Sequence, residues 1–363
     1  MKAMTNVDDP DVMLSVNGLE ITFKTDQGDR VFLRDVDFDI RRGEVLGVVG
    51  ESGSGKSITA LSLMGLLPNA GRVTDGEAWF KGKNLLSMTS DQLDEIRGKH
   101  LAMIFQDALT SLNPVLTIGN QIIEAIRAHQ DISKAKATNL AVDLLDRVGL
   151  AKPKTILNQY AHTLSGGMRQ RVMIAIALAS EPSLIIADEA TSSLDVTIQA
   201  QIMHLLRELS LERDMSVMLI THDIGLIAQM ADRVLVMYAG EVVEYTDVFT
   251  MFEAPGHPYT RALLDTVPSI EDDKDRELTA IPGVVPEDYY AINSCRFAGR
   301  CEFAQQQCRE TRQVMRPLDD CRQVRCMRAQ NNELDFVHST QCEASKIALA
   351  RRKEEAKKRL SQG

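Results

Sequence analysis

The chain has 363 residues, 44% apolar and 25% charged, with a formal charge of −10. These are the proportions of an ordinary globular protein with room for about two domains, and the acidic balance argues against a general nucleic-acid binder. No run approaches the ~20 apolar residues that span a bilayer, and residues 1–13 carry Asp8, Asp9 and Asp11 with no apolar stretch, so neither a membrane span nor a secretory signal is expected.

Taken in chain order, Leu19–Phe23 and Val31–Ile40 alternate in polarity and predict an antiparallel edge. Val45–Val49 is continuously apolar, as are Leu184–Ala187, Val217–Ile220 and Val234–Tyr238. Such runs suit strands covered on both faces in a largely parallel sheet. Between about residues 110 and 161 the strand signals stop, and Ala141, Leu144, Leu145 and Val148 mark a helical stripe that Gly149 can end. The reading is an α/β domain with a helical insert. After Tyr245 five of the eleven prolines fall between Pro255 and Pro286, with the acidic run Glu271-Asp272-Asp273 among them, which predicts a linker into a small C-terminal module. Residues 351–359 are mixed in sign and read as a solvated helix.

Three strand ends carry chemistry. Val45–Val49 leads into Gly50-Glu51-Ser52-Gly53-Ser54-Gly55-Lys56-Ser57, and a helical pattern follows. That strand–loop–helix context defines a phosphate-binding loop. Its glycines let successive N–H groups face phosphate oxygens, the helix N-terminus adds positive potential, Lys56 can reach the β- and γ-phosphates, and Ser57 can ligate Mg²⁺. Leu184–Ala187 ends in Asp188 and Glu189, where an α/β sheet places its ligand; Asp188 suits Mg²⁺ and Glu189 the attacking water. Val217–Ile220 ends in Thr221-His222-Asp223. A lone histidine is usually structural, but this position at a strand end favours a functional one.

The whole set, in this order, resembles the ATP-binding-cassette (ABC) ATPases across the first 250 residues. Residues Gly50, Ser52, Gly53, Ser54, Gly55, Lys56 and Ser57 resemble the nucleotide-holding loop, and Phe23 the aromatic that stacks on adenine. Gln106 resembles the glutamine that joins Ser57 and Asp188 around Mg²⁺. Glu189, His222 and Gln106 resemble the catalytic set, and Asp195, after Ser193-Leu194, the D-loop aspartate. Leu164-Ser165-Gly166-Gly167-Met168-Arg169-Gln170 resembles the family signature, in which Ser165, Gly166, Gly167 and Gln170 act on ATP bound to a facing cassette. The resemblance implies a nucleotide-binding domain with a P-loop core sheet, an antiparallel β subdomain and a helical insert (about 108–165) over residues 1–250. It also implies a second ATPase as partner.

Phe105–Pro114, His257-Pro258-Tyr259-Thr260-Arg261-Ala262-Leu263-Leu264 and Ile281-Pro282-Gly283 narrow the likeness to ATP-binding subunits of oligopeptide/dipeptide importers, with residues 251–363 as their C-terminal domain. That family implies a heterodimer with a different ATPase, two transmembrane permease subunits, an indirect extracytoplasmic solute-binding protein and no nucleic acid. The place implied is the cytoplasmic face of the bacterial inner membrane, as a peripheral subunit. An importer for another solute, such as nickel or antimicrobial peptides, is the alternative. A soluble ABC protein acting on ribosomes or DNA fits less well, because it usually carries two cassettes or a long coiled-coil insert. Ala108, Ala190 and Ser294 depart from the family's usual proline, proline and glycine; none removes a catalytic group.

All six cysteines lie between Cys295 and Cys342. A disulfide framework is not expected in a reducing compartment. Cys295, Cys301, Cys308 and Cys326, with Cys321 as an alternative fourth, form a four-thiolate candidate. The wide spacing favours [4Fe–4S] over Zn²⁺, which prefers closely paired cysteines.

Overall fold

The computed structural model describes residues 9–26, 28–191, 194–267, 280–338 and 347–354. Asp8, Ser193, the acidic run 271–273, Cys342 and residues 355–359 lie outside the described residues.

In chain order the strands are β1 (Val12–Thr25), β2 (Gly28–Arg41), β3 (Val45–Val49), β4 (Gly71–Phe80), β5 (Lys83–Asn84), β6 (Leu101–Ile104), β7 (Leu184–Asp188), β8 (Ser216–Ile220), β9 (Arg233–Tyr238), β10 (Glu241–Asp247), β11 (Arg316–Pro317) and β12 (Gln323–Val324). The helices are α1 (Lys56–Leu63), α2 (Ser90–Asp94), α3 (Ala108–Ser111), α4 (Ile118–His129), α5 (Lys134–Arg147), α6 (Pro153–Ile156), α7 (Gly166–Leu178), α8 (Val196–Arg213), α9 (Ile224–Met230), α10 (Val248–Glu253), α11 (Pro258–Asp265), α12 (Gln306–Glu310) and α13 (Met327–Gln330). They fall into two compact units, one of residues 1–40, 46–87 and 221–363, the other of residues 41–45 and 88–220.

The first unit holds an antiparallel sheet in the order β2-β1-β4-β5, with Leu14 opposite Phe80 and Val16 opposite Ala78. The alternating segments therefore build a sheet of their own. The same unit pairs β3 with β9 in parallel, Leu46 opposite Arg233 through Val49 opposite Val236. β10 returns antiparallel to β9. β12 then adds to β10 at Glu244–Val324 and Tyr245–Gln323, and β11 adds to β12. These last two strands arise where the sequence shows only loop. At two residues each they are too short to leave a period-2 pattern. Around them Val324, Ala329 and Leu334 form a small apolar core with Phe303, Leu318, Phe336 and Val337 packed on it.

The second unit pairs β6, β7 and β8 in parallel. Every residue of these strands except Met103 is at most 4% exposed, as the continuously apolar runs require. Between β6 and β7 the chain runs through the helices α3 to α7. Ser133 caps α5 by accepting the Lys136 N–H at 3.3 Å, and Ala137, Ala141 and Leu145 form its buried stripe. The helix ends ahead of Gly149, whose N–H returns to the Asp146 carbonyl. α4 buries Ile118, Ile122 and Ile126 at the same four-residue spacing and packs against α5 and α7.

Candidate functional site

In the first unit, residues 50–57 join β3 to α1 as a tightly held loop. Gly50 has φ of 149°, and a Cβ there would stand 2.1 Å from the Met237 carbonyl oxygen. Gly55 caps α1 in the left-handed region, at φ of 102°. Both positions exclude any residue with a side chain. Ser54 is buried, and its carbonyl accepts the Gly240 N–H at 2.9 Å. The Lys56 ammonium folds over the loop and donates to the carbonyls of Gly50 (2.7 Å) and Glu51 (2.9 Å). Ser52 and Gly53 are exposed, and Ser57 is half-buried at the first turn of α1. A loop of this shape, with a lysine curled over it at a helix N-terminus, is built to receive a polyphosphate.

Two groups from later in the chain hold this loop, and sequence reasoning assigned neither a role. The Tyr259 hydroxyl accepts the Glu51 backbone N–H at 2.9 Å. Tyr259 is fully buried and packs between Tyr238 and Phe297; burial pushes its phenol well above the usual tyrosine range. Arg300 grips the Glu51 carboxylate with both terminal nitrogens, at 2.6 and 2.9 Å. The His257–Leu264 motif explains the first contact. His257 caps α11 by accepting the Tyr259 N–H on Nδ1 at 3.0 Å, and Pro258 occupies the first helical position, where its missing N–H costs nothing. Burial and the nearby Arg325 charge drop the His257 ring to about 3, against the pull of its hydrogen bond to the Arg325 backbone, so the imidazole is neutral. Glu244, wholly buried on β10, accepts the N–H groups of Gly256 and His257 at 2.7 and 2.9 Å, which fixes the entry to α11.

Phe23 packs against Phe32 at 4.9 Å between ring centroids. Phe32 in turn stacks on Tyr290 at 5.6 Å and meets Tyr289 edge-on. Phe23 is therefore one of four clustered aromatics rather than an isolated ring. His222 is exposed, just beyond Thr221.

The second unit gathers Gln106, Asp188, Glu189, the 164–170 run and Asp195. Ile104 of β6 lies opposite Ala187 of β7, so the residues just past both strands emerge side by side, and Gln106 Nε2 donates to Glu189 Oε2 at 2.7 Å. Asp188 is 4% exposed. Glu189 stands at φ of 46°, a left-handed conformation that costs about 1–3 kcal/mol for a residue with a side chain and clusters at functional sites; its N–H returns to the Ile220 carbonyl. Ser165 is the exposed N-cap of α7 and accepts the Met168 N–H at 3.3 Å. Gly166 and Gly167 follow in the first turn, where N–H groups have no partner within the helix. Gln170, one turn on, is buried, and its amide donates to the Ala190 carbonyl at 2.7 Å. Asp195 caps α8, accepting the Ile198 N–H at 3.0 Å.

Cys295, Cys301, Cys308 and Cys326 are free and line one cavity of about 20 Å³ with Phe297, Phe303 and Leu334. The Cys295 N–H donates to the Cys308 carbonyl at 3.0 Å. Burial pushes the Cys295 thiol up to about 12 and Cys301 to about 11, and raises Cys326 as well. Cys321 is disulfide-bonded, which corrects the expectation that it could serve as an alternative fourth thiolate. Among the described residues no group of three or more His, Cys, Asp or Glu side chains forms a ready metal-holding set.

The fold is that of an ATP-binding cassette. A dimeric ATP-binding cassette solved in a post-hydrolysis state with ADP and Pi is similar over 65% of this chain and 99% of its own, at TM-score 0.60 and 28% identity. CbiO1 from Clostridium perfringens, part of an ABC transporter complex, covers 67% of this chain and 91% of its own at TM-score 0.55 and 26% identity. The family described as ABC transporter matches residues 33–192, and the one described as oligopeptide/dipeptide transporter, C-terminal region, matches residues 243–308. Among curated relatives, a probable peptide ABC transporter ATP-binding protein of Sinorhizobium fredii is 47% identical over 88% of this chain and 96% of its own. The dipeptide transport ATP-binding protein DppD of Escherichia coli is 46% identical over 86% and 96%. The oligopeptide transport ATP-binding protein OppD of Bacillus subtilis is 47% identical over 81% and 84%. The chain belongs to the family of ATP-binding subunits of peptide ABC transporters.

Proposed function

We infer that this chain hydrolyses ATP and couples that reaction to the import of oligopeptides or dipeptides through membrane permease subunits. The observation that carries it is the phosphate loop, already folded around Lys56, in a chain alike over nearly its whole length to peptide-importer ATPases. Among the described residues no helix is long and apolar enough to cross a membrane, which suits a peripheral subunit on the cytoplasmic face. Disrupting the gene and following uptake of labelled di-, tri- and oligopeptides tests the reading; unimpaired peptide uptake would overturn it.

Phosphoryl transfer is catalysed mainly by positioning and charge stabilisation, and each residue's proposed part follows from its chemistry. Lys56 leaves the loop carbonyls for the β- and γ-phosphates. The N–H groups of the loop cradle the same oxygens. Phe23 offers a ring face to adenine. Ser57, Asp188 and Gln106 would hold Mg²⁺, which would supply positive charge against the phosphates. Glu189 orients and deprotonates water, assisted by Gln106 and His222. Ser165 and the first-turn N–H groups at Gly166 and Gly167 serve ATP on a second, different ATPase subunit, and Asp195 faces that partner. The inward Gln170 acts through the Ala190 backbone next to Glu189.

Residues 1–250 are proposed as the ATPase domain and 251–363 as the C-terminal domain, whose four free thiols hold a cofactor. The support is the chemistry of the donors, since four thiols line one cavity, although they do not yet form a metal-holding group. Cys295, Cys301, Cys308 and Cys326 would hold a [4Fe–4S] cluster, with Zn²⁺ as the alternative. The cavity admits about one water-sized sphere, and with no three thiols among the described residues already gathered around one point, either group would require the side chains to turn.

A further inference from the structure

The phosphate loop carries an acid, Glu51, immediately after its first glycine. A carboxylate there faces a problem of charge, because the ligand proposed for the loop is a polyanion. The structure disposes of that charge. Arg300 takes both Glu51 oxygens in a planar fork, the geometry that makes Arg–carboxylate pairing both strong and directional. The Arg300 side chain is 6% exposed and that of Glu51 29%. The guanidinium is itself anchored. Its Nε donates to the Pro282 carbonyl at 2.7 Å, one terminal nitrogen reaches the Gly283 carbonyl at 3.2 Å, and the group lies over the Tyr238 ring. Tyr259 meanwhile holds the Glu51 backbone, so main chain and side chain of one loop residue are fixed from two separate segments.

We propose that Arg300 is a positioning residue for nucleotide binding: it neutralises Glu51 and holds that carboxylate away from the phosphates. The inference rests on the reading of residues 50–57 as the ATP site. It separates a charge role from a merely structural one, because removing Arg300 harms binding only while Glu51 keeps its charge.

The test is titration of the full-length chain with a fluorescent ATP analogue at low ionic strength. Arg300→Gln should weaken binding about three- to tenfold, and the deficit should shrink as salt screens the exposed acid. Glu51→Gln/Arg300→Gln should recover most of the loss. Wild-type affinity in Arg300→Gln, or a double variant as weak as the single, overturns the proposal. Should the glutamine variant fail to fold, Arg300→Lys keeps the charge without the fork. Binding near wild type then supports neutralisation, and a loss that persists in Glu51→Gln/Arg300→Lys overturns it. Lys56→Ala separates the two readings. Binding lost there but untouched by Arg300→Gln sinks this inference alone, whereas a wild-type chain that binds no ATP sinks the nucleotide site itself.

Discussion

Gln106 and Glu189 meet at 2.7 Å because two parallel strands end level with each other. The amide donates to one oxygen of the Glu189 carboxylate. Under the proposed role of Glu189, Glu189→Gln keeps the shape and loses the base. Turnover should fall by about 100-fold or more, with ATP affinity unchanged. Steady-state hydrolysis and nucleotide titration on the same preparation check this; wild-type hydrolysis removes Glu189 from the mechanism.

A second expectation concerns packing in the helical region. A Cβ on Gly119 would stand 2.7 Å from the Leu157 carbonyl oxygen and 3.1 Å from its Cβ. Both neighbours are held, since the Gly119 N–H already donates to that carbonyl at 2.9 Å. Gly119→Ala should therefore destabilise the protein by about 1–3 kcal/mol. The urea midpoint reads this directly, and an unchanged midpoint would show that the two segments part without cost.

Much of this architecture was legible in the residues, and the reasons are physical. β3, β7 and β8 are continuously apolar because both their faces are covered, so their outlines survive any context. The phosphate loop was legible because its glycine positions admit nothing else. Arg300 was not, because the contact it makes spans 249 positions and nothing in its immediate neighbours signals a partner. Tyr259 lay in a motif that was recognised yet carried no assigned role; its hydroxyl acts on a residue 208 positions away. Gln170 resembles a signature residue that acts on ATP bound to a facing cassette, and nothing in its neighbours signals that its amide is buried and donates to the Ala190 carbonyl.

Arg322 supplies a third prediction. It is 2% exposed, and it donates to the carbonyls of Ala254 and His338 at 2.6 and 2.7 Å and to the Asp319 carboxylate at 2.8 Å. Arg322→Met fills the volume but strands those acceptors, a loss on the order of 3–5 kcal/mol measurable by thermal or urea unfolding. Part of it should depend on pH. Burial alone would raise the Asp319 carboxyl, but its hydrogen bonds and the Arg322 charge outweigh that and hold it below its ordinary 3.8. A depressed acid contributes stability above its unfolded value and loses it as pH falls through the folded value. The gap between wild type and variant should narrow below about pH 3.8; a constant gap would mean the ion pair contributes nothing.

The cysteine cavity makes a fourth. Protein purified without oxygen should carry iron and sulfide in near-equal amounts with broad visible absorbance, and Cys308→Ala or Cys326→Ala should bleach it. Colourless protein with one equivalent of zinc would replace the cluster by the ion. Protein free of both metals would end the cofactor proposal.

The two short strands contributed by residues 316–324 have a consequence beyond their size. β10 would otherwise be the rim of its sheet, with a row of open N–H and C=O groups, and such rims recruit other chains. The hairpin of β11 and β12 covers the middle of that rim, at Glu244 and Tyr245. A version of this protein cut before residue 281 would lose that cover together with the Arg300 hold on Glu51, and should self-associate through β10, so the distal end of the chain also acts as a guard on solubility.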